Sequence, residues 1–258
     1  EYRLPKKILD TEIEWIIDIG IEVKLNAEIG KNIKVQELLN GRYDAVYLAI
    51  GAAASRRLGI KDEYETEGVV KGIVFLRDIQ LRGLPTLKGK VIVVGGGNTA
   101  IDAARSAGRL GAENVKVVYR RSINEMPAHY SEIEAAKEEG VEFIFLTNPK
   151  SILTSGNRIR GIECLKMRLE KAQANERPRP VPIPDSEYLL SCDYLIIAIG
   201  QEVEESFFHN LPECQRERWG TIKVDDNTLE TSLKGVFAGG DAVTGPSTAV
   251  SAIASQKR

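Results

Sequence analysis

The chain has 258 residues, 43% of them hydrophobic and 28% charged, with a formal net charge of −2. The length fits one large domain or two small ones, and the composition is that of an ordinary globular protein. The near-neutral balance excludes a general pull toward nucleic acid or anionic lipid, and no apolar run approaches the ~20 residues that cross a bilayer. With no signal-peptide pattern at the N-terminus, a cytoplasmic protein without membrane insertion is expected.

Helix-like and strand-like pieces alternate along the chain, which predicts an α/β fold with parallel strands. "PKKILDTEIEWIIDIG" places Ile8, Leu9, Ile13, Ile16 and Ile17 at helical spacing, with Pro5 near the first turn and Gly20 at the end. "IEVKLN" reads as a strand, "KVQELLNG" as a short helix closed by Gly41, and "YDAVYLAIG" as a fully buried strand. A helical stripe follows in "FLRDIQLRG", within 68–84. The segment "KVIVVGGGNTAIDAARSAGRLGAENVKVVYRRS" then reads strand–turn–helix–strand, and "SEIEAAKEEGVEFIFLTNP" reads helix–strand. From Lys150 to Leu190 an antiparallel stretch is expected, in which "RPRPVPIPDSE" is too rich in proline for a central strand. "CDYLIIAIGQ" reads as another buried strand, and "LKGVFAGGDAVTGPSTAVSAIAS" as strand–turn–helix.

The segments "YDAVYLAIGA" (Tyr43–Ala52) and "CDYLIIAIGQ" (Cys192–Gln201) share an Asp, an apolar run and a closing A-I-G. They read as the last strands of two similar units, with chance likeness of two buried strands as the alternative. The chain opens on "EYRLPKKILD" without an initiator methionine and closes inside a helical pattern, so flanking segments are expected. Cys164, Cys192 and Cys214 form no C-x-x-C, so neither a thioredoxin-type pair nor an iron–sulfur ligand run is expected within it. His129 and His209 are isolated, and no metal site is expected from them.

The motif richest in chemistry is Gly95-x-Gly97-x-x-Ala100, directly after the strand Val91–Val94 and opening a helix. In that context Gly95 permits the tight turn, Gly97 leaves room for a pyrophosphate, and Ala100 allows close helix–strand packing. The helix N-terminus offers free N–H groups, to which Asn98 and Thr99 add side-chain donors. A glycine turn that only joins strand to helix is the alternative. The next strand, "VKVVY", ends on Arg120 and Arg121, with no acid before Glu125. An acid at that point selects the ribose 2′-hydroxyl of NAD, whereas arginine accommodates the 2′-phosphate of NADP. The pair therefore favours NADP(H), against the alternative of two solvated arginines. Near the C-terminus, Gly239 and Gly240 lead a strand into Asp241, and a helix starts near Pro246–Thr248. The Asp241 carboxylate suits a flavin ribitol hydroxyl, and the helix N-terminus suits the flavin N1/O2 edge; a plain turn and helix cap is the alternative.

"YRLPKKIL", "YDAVYLAIGA", "VVGGGNTAIDAAR", "VYRRSINEMPA", "RPRPVPIPDSE" and "GVFAGGDAVTGPSTAVSAIA" together resemble, in that order, the glutamate synthase small (beta) subunit family. These are NADPH-dependent, FAD-containing oxidoreductases with two dinucleotide-binding domains. The resemblance implies a Rossmann-like FAD/NAD(P)-binding fold. An NADP domain, residues 69–204, would be inserted into an FAD domain made of residues 1–68 and 205–258. It implies Gly95, Gly97, Asn98, Thr99 and Ala100 at the NADP pyrophosphate and Arg120 and Arg121 at its 2′-phosphate. Gly51, Gly240, Asp241 and Thr248 would lie at FAD, and Gly200 toward the nicotinamide. It implies hydride passing from NADPH to FAD and on to an iron–sulfur centre or a larger partner subunit, with no catalytic acid or base in this chain. The family's first G-x-G-x-x-G turn and its iron–sulfur region are outside this sequence, so poor FAD retention is expected. Ala49-Ile50-Gly51 also stands where many relatives have Ala-Thr-Gly, so any contact there is through backbone. The competing reading is an NADP-binding module without turnover. A flavin disulfide reductase is disfavoured by the missing cysteine pair.

Overall fold

The computed structural model describes residues 4–29, 31–41, 43–83, 86–171 and 177–255. The chain begins with α1 (Lys6–Asp18), α2 (Val35–Leu39), β1 (Val46–Leu48), β2 (Ala54–Ser55), β3 (Val69–Lys71) and α3 (Gly72–Arg82). The glycine motif lies between β4 (Lys90–Val94) and α4 (Asn98–Arg109), followed by β5 (Asn114–Val118), α5 (Tyr130–Glu138) and β6 (Glu142–Ile144). Next come β7 (Thr147–Ser155), β8 (Arg158–Glu170), β9 (Arg179–Pro182), β10 (Tyr188–Ser191) and β11 (Tyr194–Ile197). The chain closes with β12 (Gln201–Glu202), α6 (Glu205–Asn210), β13 (Val236–Ala238), α7 (Asp241–Thr244) and α8 (Ala249–Ala254).

The main sheet has five strands in the order β3-β11-β4-β5-β6, all parallel. From β4 the chain runs outward through β5 and β6, while β11 returns on the other side of β4. The order therefore reverses at the carboxyl end of β4, where open parallel sheets bind ligands. Both faces of this sheet are covered, as parallel sheets require. Val91 and Val93 of β4 pack toward α3, α4 and α5 with Phe75, Ile101 and Ile133. Ile92 and Val94, alternating with them, pack against Ile159, Ile162 and Cys164 of the antiparallel sheet β10-β8-β7. The proline-rich strand β9 pairs only with β8, at the edge of that sheet.

The helix α4 forms because its sequence is alanine-rich and its apolar positions recur on one face. Ala100, Ile101, Ala103, Ala104 and Ala107 are all 0% exposed, and the small side chains let the helix sit close to the sheet. It ends where Gly111 adopts φ +93° and donates its N–H to the Gly108 carbonyl. Arg105, on a partly packed side of the same helix, reaches α5. Its guanidinium forks onto Glu139 at 2.7–3.1 Å and bonds Glu132 at 2.5 Å.

A second, smaller core gathers Val35, Leu48, Phe207, Phe208, Leu211, Ile222, Val236 and Ala238 around the parallel pair β1-β13. Here two sequence expectations are corrected. "IEVKLN" is not a strand: it finds no ladder partner among the described residues, and Ile21, Val23 and Leu25 are exposed. "YDAVYLAIG" is not a fully buried strand: only Val46–Leu48 pairs, Leu48 alone of the three is buried, and Tyr47 and Ile50 are exposed. The helix α1 forms as its spacing predicts but buries none of its residues.

The two A-I-G segments are joined physically. Gly51 (φ +64°) and Gly200 (φ +122°) each turn the chain out of a parallel strand in a conformation that favours glycine. The residues just past them then pair with one another, as β2 and β12 form an antiparallel two-stranded link.

Candidate nucleotide-binding sites

At the end of β4, Gly95 lies at φ +145° with its N–H donated to the Val118 carbonyl at 3.0 Å. A Cβ there would lie 2.8 Å from the Ala198 carbonyl carbon and nearer still to its oxygen, so this position must be glycine. Ala198 belongs to the second A-I-G run, which brings Gly200 to the same corner of the sheet. Gly97 is different. Its φ is ordinary, and a Cβ would meet only Pro127 Cγ at 3.9 Å, so the space before it is open. Gly97 caps α4, and the N–H groups of Asn98 and Thr99 in the first helical turn donate to no partner among the described residues. Free donors, a positive dipole end and absent Cβ atoms on one turn suit a pyrophosphate. The structure thus brings Gly95, Gly97, Asn98, Thr99 and Ala100 together, with Ala100 wholly buried as the packing contact.

Two neighbours of this turn were not anticipated from the sequence. Gly96 is required because the Tyr119 ring occupies the place of its side chain, 2.5 Å from where a Cβ would stand. The loop 126–129 folds back over the turn, with Ala128 N–H on the Gly96 carbonyl at 3.1 Å and His129 N–H on Asn98 Oδ1 at 3.1 Å. Asn98 is therefore left with its amide N–H groups to offer. The run of three glycines followed by an aromatic strand end was the available signal. Glu125, the nearest acid after the arginines, is spent locally: its carboxylate accepts from Ser122 N–H and Oγ in a capping box.

Arg120 and Arg121 stand at the tip of β5, one strand over from the glycine turn. Arg120 is exposed and makes no hydrogen bond or ion pair among the described residues. Partial burial, and then the Arg121 charge beside it, lower its pKa below the ordinary guanidinium value. An anion there would relieve that like-charge cost. Arg121 is half-buried, and its Nε donates to the Pro178 carbonyl at 2.9 Å.

The other predicted residues form a separate group around β1 and β13. Gly239 N–H donates to the Leu48 carbonyl at 3.3 Å, which sets Gly240 (φ +63°) and Asp241 beside the end of β1 that leads to Gly51. Asp241 opens α7, and its Oδ1 accepts from Ser247 N–H at 3.2 Å, leaving its other oxygen available. Thr248 caps α8 by accepting from Ser251 N–H at 3.1 Å, so its hydroxyl has a structural use. Among the described residues this group offers a carboxylate oxygen and a short helix entry.

The three cysteines are buried and unpaired. Desolvation pushes Cys164 and Cys192 up to about 12, so neither is a nucleophile. No cluster of metal-ligating side chains occurs among the described residues, and no helix among them is long and apolar enough to cross a membrane.

A parallel sheet with a glycine turn at its reversal point, free helix N–H groups and cations on the neighbouring strand defines a Rossmann-like dinucleotide-binding protein. The chain belongs to the pyridine nucleotide-disulphide oxidoreductase family, whose sequence pattern matches residues 6–255. It is 46% identical over 259 residues to the NADP(+)-dependent formate dehydrogenase subunit beta of Moorella thermoacetica, covering 100% of this chain and 36% of that protein. It is 34% identical over 272 residues to the glutamate synthase [NADPH] small chain of Escherichia coli (strain K12), covering 100% of this chain and 57% of that protein. The resemblance read from the motifs is borne out by these relatives. The chain spans little more than a third to three fifths of their lengths. Mycobacterium tuberculosis FprA, solved in complex with NADPH, shares the fold with a TM-score of 0.72 at 17% identity over 90% of this chain and 65% of that one.

Proposed function

We propose that the chain is the NADPH-binding and part of the FAD-binding portion of an electron-transfer oxidoreductase subunit. Residues 69–204 form its NADP unit, and residues 1–68 and 205–258 contribute to its flavin unit. The observation that carries this reading is the glycine turn with two arginines, and no free acid, at the tip of the adjoining strand. Gly97, Asn98 and Thr99 would hold the pyrophosphate, and Arg120 the 2′-phosphate. Gly51, Gly240, Asp241 and the entry of α8 would lie along FAD, with Gly200 between them and the nicotinamide. When bound, NADPH and FAD supply the hydride chemistry; the chain's residues bind, orient and separate them. Relatives bearing the word subunit or chain in their names support a partner protein as electron acceptor.

The open character of the β1-β13 unit supports a flavin cradle completed by chain outside these residues, so this piece alone should hold FAD weakly. The test is spectroscopic and calorimetric. NADPH should bind the purified chain well and NADH poorly, and Gly97→Val should weaken NADPH at least about tenfold while leaving the fold intact, because only open space faces that position. Equal affinity for both nucleotides would refute the NADP reading. In the full-length protein, a flavin that NADPH fails to bleach would refute electron transfer and leave a binding module.

A further inference from the structure

The proline-rich strand β9 offers a feature that the nucleotide reading has not used. Its register on β8 sets Pro182 opposite Met167, Val181 opposite Arg168, Pro180 opposite Leu169 and Arg179 opposite Glu170. Proline has no N–H, so the ladder donors of β9 are Arg179 and Val181. Ile183 continues the alternation, donating to the Lys166 carbonyl at 2.9 Å. In an antiparallel strand a residue's N–H and C=O face the same edge. Pro178, Pro180 and Pro182 therefore turn their carbonyls away from β8, making an edge that carries acceptors and no donors.

Arg121 meets that edge. Its Nε donates to the Pro178 carbonyl at 2.9 Å. Its own carbonyl accepts from Leu146 N–H at 3.1 Å, and the Leu146 carbonyl accepts from Met167 N–H of β8 at 2.7 Å. The arginine is thus tied at backbone and side chain. Its terminal nitrogens make no bond among the described residues, so the planar fork is fixed with donors to spare. Arg177 and Arg179 flank Pro178, both exposed and neither ion-paired among the described residues. Glu170, opposite Arg179, is engaged by Arg168 at 3.1 Å. The Arg121 bond therefore ties the tip of β5, with Arg120, to the segment that carries Arg177 and Arg179, and of the acids beside them among the described residues Glu125 and Glu170 bond elsewhere.

We propose that Arg177–Pro182 is the second wall of the 2′-phosphate pocket. Arg121 is a positioning residue that fixes this wall through Pro178, and Arg177 and Arg179 add cations around the phosphate that Arg120 binds. This rests on the reading of Arg120 as the phosphate contact. The test uses the whole chain and two probes that differ only in the 2′-phosphate, adenosine 2′,5′-bisphosphate and adenosine 5′-monophosphate, in titration calorimetry. Arg177→Gln with Arg179→Gln should weaken the bisphosphate about five- to tenfold and leave the monophosphate unchanged, with the loss shrinking at high salt. Arg121→Gln should do the same and also speed amide exchange over 177–182. Arg121→Lys, which retains a donor for Pro178, should recover part of the affinity. A purely structural Arg121 would change the exchange and not the selectivity. No selective loss in the Arg177/Arg179 variant would overturn the proposal. Arg120→Gln separates the two levels: if it leaves the bisphosphate preference intact, the underlying NADP reading fails; if it abolishes the preference while the other variants do not, only the second wall fails.

Discussion

The unit around β11 and the unit around β1 are built from similar strands and end in different states. β11 lies between β3 and β4, with helices on one face and an antiparallel sheet on the other, and Leu195, Ile196 and Ile197 are at most 1% exposed. Among the described residues β1 pairs with one strand, β13, and Tyr47 on it is 43% exposed. The helices repeat the contrast. The apolar face of α4 is wholly buried, while on α1 Ile8, Ile13 and Ile16 are 45–55% exposed. An apolar pattern states which face an element would bury; a layer of other residues must be present to bury it. In the first unit, residues 69–198 contain every layer needed. In the second unit the described residues leave such faces exposed.

Glycine substitutions should show this difference most strongly. Gly95→Ala drives a Cβ into the Ala198 carbonyl at a positive φ, inside the fully packed unit. It should cost about 3–5 kcal/mol or prevent folding, read as a lowered urea midpoint. Gly51→Ala also forces a side chain into φ +64°, but nothing lies within 4 Å of it. Its cost should be the conformational penalty alone, about 1–2 kcal/mol. Equal effects at the two positions would break the contrast between a closed and an open unit.

The clamp between α4 and α5 provides a middle-sized effect. Arg105 is 9% exposed and is the main partner of Glu139, which keeps Arg109 at 2.7 Å when Arg105 is removed. Arg105→Met should therefore cost less than a fully orphaned buried charge, about 2 kcal/mol in chemical denaturation. The sign with pH follows from Glu139. The Arg105 hydrogen bonds, and then those of Arg109, hold its carboxyl below the ordinary range in the folded state. Its stabilising contribution is present above the unfolded carboxylate pKa and is lost as pH falls through the folded one. The substitution should flatten that acid-side loss of stability. An unchanged acid profile would mean that the clamp is electrostatically idle.

Most of the nucleotide unit was legible because its signals are local. A strand, a glycine turn, an alanine-rich helix and a second strand ending on arginines follow one another within 90–121. What escaped needs contacts between distant parts. Gly96 matters only because Tyr119 folds onto it, and Asn98 loses an acceptor only because His129 returns over the turn. The bond from Arg121 to Pro178 spans 57 positions and has no signature in either segment alone. In the other unit, "IEVKLN" has strand-like alternation and "YDAVYLAIG" has a buried-strand composition, but hydrogen-bonding partners decide both. Thr248, which the resemblance places at FAD, also caps α8, a use that shows only once the helix start is in place.

The smallest effect is the most informative about the open unit. Ile13→Ser on α1 removes an apolar side chain that is 45% exposed on a helix with no buried residue. Surface substitutions of this kind change stability by about 0.5 kcal/mol or less. Ile101→Ala, by contrast, empties a site that is 0% exposed on α4 and should cost about 2–5 kcal/mol. Denaturation of both variants in this chain should reproduce that ratio. The same Ile13→Ser substitution in a chain extended to the relatives' length then tests whether added residues cover α1. If chain outside these residues covers α1, as the proposed flavin unit requires, the cost should rise to about 1–2 kcal/mol, the worth of burying such a side chain. A cost that stays near zero there would leave the apolar stripe of α1 uncovered in the whole protein. The flavin unit would then have to be completed against some other surface.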